Sequence, residues 1–139
     1  MRHRSILAML SAALLALIAA SVHPSLATPP AAKGAERKAI LDTLRGPVAA
    51  KLGAPIEFVV DRILVEGDWA FAVVTPQRPG GRKIDFRGTV CAGDVSHLVG
   101  ALFKRAGGNW TVRDIAFCPT DVAWASWDTE HDAPAALFR

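Results

Sequence analysis

Only one stretch of this 139-residue chain carries a long helical apolar repeat, and most of the chain beyond it reads as extended. From Ala35 onward, Ile40, Leu41, Leu44, Val48 and Leu52 recur at spacings of one, three and four, while Glu36, Lys38, Asp42 and Lys51 fall off that stripe. A period near 3.6 residues gathers the apolar set on one face, so the segment is an amphipathic helix that needs a partner surface. Gly46-Pro47 interrupts it. Proline removes a backbone donor and clashes with the carbonyl behind it, which predicts either a kink near Arg45 or two short helices with Pro47 in the first turn of the second. Gly53 then closes the helix as a left-handed cap, and Pro55 stops it resuming.

After Pro55 the period changes. Ile56 to Val65 is rich in β-branched residues, Glu66-Gly67-Asp68 is a turn signal, and Trp69 to Thr75 is a second extended run, which together predict a hairpin. Pro76 to Lys83, with two prolines and a Gly-Gly pair, reads as a loop, and Ile84 to Cys91 as a third strand. His97 to Arg105 and Asn109 to Cys118 flank Ala106-Gly107-Gly108 and form a second hairpin, since glycine supplies the positive φ that tight turns require. Pro119-Thr120-Asp121 then offers a cap to a short helix starting near Val122, with Trp124 and Trp127 three apart on one face, and a tail runs from Ala133 to Arg139. One helix and about five strands define an α+β domain. The simplest assembly lays the amino-terminal helix across a curved antiparallel sheet, a cystatin-like or NTF2-like outline that fixes no activity by itself.

The segment before the helix carries an address. Arg2 and Arg4 precede an apolar run from Ile6 to Ala20, and Ser25-Leu26-Ala27 supplies the small-x-small pattern read by signal peptidase, so residues 1–27 are expected to be a signal peptide cleaved before Thr28. The run is shorter than the roughly 20 residues of a membrane-spanning helix, and no Cys follows it to take a lipid, so no retained membrane anchor is expected. Thr28 to Gly34, with two prolines, reads as a flexible leader, and residues 35–139 as a single domain. Removing 27 of 139 residues leaves 112, enough for one core. It also takes the net charge from +3 to +1, with both signs mixed, which argues against nucleic-acid binding.

Both cysteines, Cys91 and Cys118, fall in the exported part, where an even count reads as a disulfide. Closing a loop of about 28 residues stabilises such a domain by roughly 3 to 4 kcal/mol. There is no C-x-x-C spacing and no His within three residues of either, so a structural bond outranks a redox or metal pair.

Several residues are candidates for binding. The chain has four tryptophans and no tyrosine, and exported domains use indoles to stack on sugars or peptides. Trp124 and Trp127 are the stronger pair for that role, against the plainer reading in which Trp69 and Trp110 face the core and Trp124 and Trp127 clamp the last helix to the sheet. Arg78, Arg82, Lys83 and Arg87 put four cations around a Pro-Gly loop with one acid, Asp85, where they can meet phosphate, uronate or carboxylate groups or serve only as a solvated surface. Asp128, Glu130, His131 and Asp132 offer hard ligands but lack any EF-hand or two-His spacing, so no metal is assigned, and no cofactor either. His97 lies near Asp94 and Ser96 without a G-x-S-x-G elbow, and neighbours in a strand point to opposite faces, so no local nucleophile and base is expected. Asn109-Trp110-Thr111 matches a glycosylation sequon that is silent in a bacterial host.

Glu66-Gly67-Asp68-Trp69-Ala70-Phe71, Thr75-Pro76-Gln77-Arg78-Pro79-x-Gly81 and Pro119-Thr120-Asp121-Val122-Ala123-Trp124 together resemble a family of small, exported, uncharacterised bacterial proteins. The likeness runs from about Ala39 to Trp127. It implies an exported bacterial domain and lends no reaction, cofactor or catalytic residue.

The sequence thus leads to a non-catalytic binding or inhibitory module of the bacterial envelope, periplasmic or extracellular. It would act through the sheet's concave face or the Arg78–Arg87 loop on an envelope protein or an anionic or glycan ligand. The alternative is a small enzyme with an acid/base pocket in the sheet, using His97, Asp85 or Asp114; only His97 and His131 remain as imidazoles after cleavage.

Overall fold

A computed structural model of the protein describes residues 27–139; the signal-peptide reading falls almost entirely outside them. The amino-terminal helix, α1 (Gly34–Leu52), is one continuous element that buries Ile40, Leu44, Val48 and Leu52 of the expected stripe and leaves its fifth member, Leu41, half-buried. Pro47 lies inside it but on the solvent side, as does Gly46. Of the two expected outcomes, division into two helices does not occur: the helix runs on through Pro47, with Val48 next to it buried. Gly53 ends the helix at φ 80°, donating its N–H to the Ala49 carbonyl at 2.8 Å.

Four antiparallel strands follow in spatial order: β1 (Glu57–Glu66), β2 (Trp69–Gln77), β3 (Val99–Ala106) and β4 (Asn109–Phe117). Two tight turns at Gly67-Asp68 and Gly107-Gly108 make the two hairpins. The fold is α+β, with four named strands among the described residues rather than five. The expected third strand, Ile84 to Cys91, is a run of local turns. Asp85 accepts the Arg87 amide, Phe86 accepts the Thr89 amide, and Gly88 and Gly93 take positive φ, so turn chemistry overrides β-branched content. β2, conversely, runs through Pro76. Its pairing with β3 stops at Val74, so the missing proline donor faces a side where no ladder exists.

The chain before α1 adds to the same sheet. Ala31 bridges Leu64, with Ala32 N–H on the Ile63 carbonyl at 2.9 Å and Val65 N–H on the Pro30 carbonyl at 3.0 Å. Pro29 and Ala32 are buried, so this part of the leader is tied to β1's outer edge at Ile63 to Val65. Bulges at Asp61 and Arg113 put the curve into the sheet.

Both faces of the sheet are covered. On one, α1 packs over Ile63, Ala70, Ala72, Val74, Val99, Ala101 and Phe103, where the three alanines let the helix approach closely. On the other, Leu64, Phe71, Val73 and Leu102 lie beneath Trp124, Trp127, Ala133 and Leu137 of the carboxy-terminal segment. That segment carries a short helix, α2 (Trp127–His131), and a 3-10 turn at Ala135–Phe138. The helix expected from Val122 thus starts five residues later, with no side-chain cap from Asp121. Cys91 and Cys118 are bonded and buried, with Cα atoms 5.7 Å apart, so the 82–98 loop is pinned to the end of β4. No helix among the described residues is long and apolar enough to cross a membrane.

Candidate functional site

The four cations of the Pro-Gly loop meet four different fates. Arg78 reaches back to the end of α1, where its guanidinium donates to the carbonyls of Leu52 at 2.9 Å, Pro55 at 3.0 Å and Gly53. A helix terminates with unpaired carbonyls and a partial negative charge, and a planar cation satisfies both. Arg87 forks onto Asp85, with Nε 2.9 and 3.0 Å from the two carboxylate oxygens, and the guanidinium holds that carboxyl well below the usual range, at about 2. Arg82 spends only its Nε, on the Pro79 carbonyl at 3.3 Å, and Lys83 has no protein partner among the described residues. Two of the four cations are therefore free to meet a ligand.

Those two stand at the mouth of a cleft of about 360 Å3 between the end of β2 and the 82–98 loop. Pro76, Ile84 and Phe86 give it an apolar lining, Thr75 and Gln77 stand on the strand side, and Gly81 lies beside the two cations. No lining residue is acidic. His97 completes the wall, its ring stacked on that of Phe86 with centroids 3.9 Å apart and planes 15° from parallel. His97 is exposed and neither ring nitrogen has a hydrogen-bond partner among the described residues. Pocket sizes of this order suit one small ligand.

The tryptophans lie elsewhere. Trp124 and Trp127 are 7% and 4% exposed and pack against Phe71, with ring centroids 5.4 and 6.1 Å from it, so these two rings serve the core under the sheet. Trp110 is buried against α1's side of the sheet, and Trp69 is half-buried with the Lys104 ammonium 4.3 Å from its ring centre. The stacking surface expected of Trp124 and Trp127 is therefore absent from the exterior; nothing local in the sequence marks that the facing strand keeps a glycine, Gly100, under the Trp124 ring.

His131 and Asp114 come together across elements, Nε2 to Oδ2 at 2.6 Å, which ties α2 to β4. Glu130 lies beside them, its carboxylate accepting the Ser126 hydroxyl at 2.5 Å. Asp128 and Asp132 stand apart from this group: Asp128 caps the Thr129 amide at 2.9 Å, and Asp132 takes φ 56° at the helix end. The sequon residue Asn109 is exposed at the hairpin turn. The sequence offers His97 only as an acid or base and hides its place in a binding cleft, because its stacking partner Phe86 is eleven residues away in an irregular loop. Searches of family models, curated proteins and solved structures return no match for this chain.

Proposed function

We propose that this protein is an exported, non-catalytic binding module of the bacterial envelope, and that its site is the cleft flanked by Arg82 and Lys83. The free guanidinium nitrogens and the free ammonium carry this reading: two unpaired cations at the rim of an apolar cleft, with no acid in its lining, select a ligand that bears an anionic group on an apolar or weakly polar body. Carboxylate, phosphate and uronate groups, common in the envelope, supply such an anion, and what carries it decides the fit. The buried disulfide and the leader-like first 27 residues support export, to the periplasm or beyond. The three-motif resemblance to small exported bacterial proteins agrees with both. Within the α+β class we favour the cystatin-like outline, because one long helix, α1, lies across one face of an antiparallel meander whose outer edge takes up the leader at Ala31.

The alternative, a small enzyme with an acid/base pocket in the sheet concavity, draws its support from the Asp114–His131 pair. It stands second because the sheet's two faces are filled by α1 and by the tryptophan segment, and no polar or charged residue among those described is buried.

The test is a thermal-shift titration of the protein recovered after export, against uronate oligosaccharides, glycerol phosphate and aromatic carboxylates. A ligand at about 100 times its dissociation constant adds roughly 2.7 kcal/mol and moves the midpoint by about ten degrees. The shift is expected to weaken with added salt and to vanish in Arg82→Gln/Lys83→Gln. A shift that survives that double substitution places the ligand elsewhere and ends the proposal.

A further inference from the structure

Cations at a rim select charge and say nothing about the shape of what carries it. The opposite wall does. Phe86 is half-buried and packs onto the core, so its ring is held, and His97 lies flat on it at 3.9 Å. Phe86 covers one face of the imidazole, while His97 as a residue remains exposed and lines the cleft. No hydrogen bond among the described residues turns this ring, so stacking on Phe86 is what orients it. Two parallel rings set into a cleft wall form a platform for a third, because flat π surfaces gain from offset stacking beyond the area they bury. A saturated chain has no use for such alignment and would be served as well by any aliphatic wall.

Resting on the anion-binding reading above, we infer that the ligand is a flat π-rich anion, an aromatic or heteroaromatic ring bearing a carboxylate or phosphate. Its ring stacks on the free face of His97, and its anionic group meets Arg82 and Lys83. The cleft, at about 360 Å3, has room for one or two fused rings and not for a long polymer segment. The carboxylate and phosphate forms share this chemistry and are told apart by their relative affinities.

The experiment is an NMR titration of the exported protein with 2-naphthoate, 2-naphthyl phosphate, decahydro-2-naphthoate and the neutral 2-naphthalenemethanol, following the His97 and Phe86 ring protons. The aromatic anions are expected to shift the His97 ring protons upfield and to bind about tenfold more tightly than the saturated acid, the ratio that a stacking gain of this class produces. His97→Ala should erase the ratio and His97→Phe should keep it, since phenylalanine preserves the ring and discards the nitrogens. His97 is exposed, so unchanged thermal midpoints in both variants will certify the fold. Equal affinity for naphthoate and its saturated counterpart, both lost in Arg82→Gln/Lys83→Gln, overturns the ring inference and leaves the anion reading standing. Equal affinity for the neutral alcohol, or no response to any probe, overturns both.

Discussion

The six-membered ring of Trp124 occupies the place where a side chain on Gly100 would begin. A Cβ built on Gly100 would lie 2.4 Å from Trp124 Cε3 and 2.6 Å from Cζ3. The backbone of β3 is ordinary here, so the glycine is required by the close approach of an indole and not by its own φ. Gly100→Ala should therefore lower stability by about 2 kcal/mol through overpacking, and Trp124→Ala by about 3 to 5 kcal/mol through the cavity it leaves. In urea denaturation the double variant should lose less than the sum of the two, since the alanine methyl then enters vacated space. Strict additivity would mean that the indole does not rest on Gly100.

Arg78 and Arg82 are the same residue type four positions apart, and substitution should separate them cleanly. Arg78→Ala strips three carbonyls at the end of α1 of their donor and should cost about 1 to 2 kcal/mol, with Arg78→Lys recovering only part, because an ammonium cannot reproduce the planar fork. Arg82→Ala should change stability by less than about 0.5 kcal/mol. Chemical denaturation of the three variants decides it; equal losses at both positions would contradict the assigned contacts.

The disulfide acts on one loop. Cys91→Ala/Cys118→Ala should lower stability by roughly 3 to 4 kcal/mol, and in native-state hydrogen exchange the amides of residues 82–98 should lose protection at less cost than those of β2 and β3. Since this loop carries Lys83, Phe86 and His97, ligand affinity should fall with it.

Asp85 gives the loop an acid limit. Its carboxyl, held by the Arg87 guanidinium and amide, titrates at about 2 in the folded protein against about 3.9 for a free aspartate. A depressed folded-state value means that the interaction is fully present above about pH 4 and is lost as pH falls toward 2. Carboxyl 13C shifts should show that midpoint, and Arg87→Gln should return it to the ordinary range. An unchanged midpoint in the variant would remove Arg87 as the cause. The pair is solvent-exposed, so global stability should hardly change across the same window.

How far the fold can be read from the chain depends on the element. The α1 stripe, the Gly67-Asp68 and Gly107-Gly108 turns and the Cys91–Cys118 pairing are legible because each rests on a local period, a local dihedral need or a count of two. Ile84 to Cys91 is misread because Ile84, Val90 and Cys91 raise its β content while Asp85 and Gly88 bend it. Two of its members, Ile84 and Cys91, are apolar anchors of a turn-rich loop rather than alternate sites on a strand. The cation cluster is legible as a cluster, but not which two of its members stay free.

By itself the sequence determined the α+β class, α1 and its apolar face, the two hairpins that follow it and the disulfide, because periodicity, turn dihedrals and cysteine number act over a few residues. Tertiary structure alone decided that the carboxy-terminal tryptophans close the second face of the sheet over Gly100, that Arg78 belongs to a helix end 25 residues before it, and that Phe86 and His97 meet beside Arg82 and Lys83. Each of those outcomes depends on which surfaces remain uncovered once the meander has folded, and no local stretch of chain contains that information.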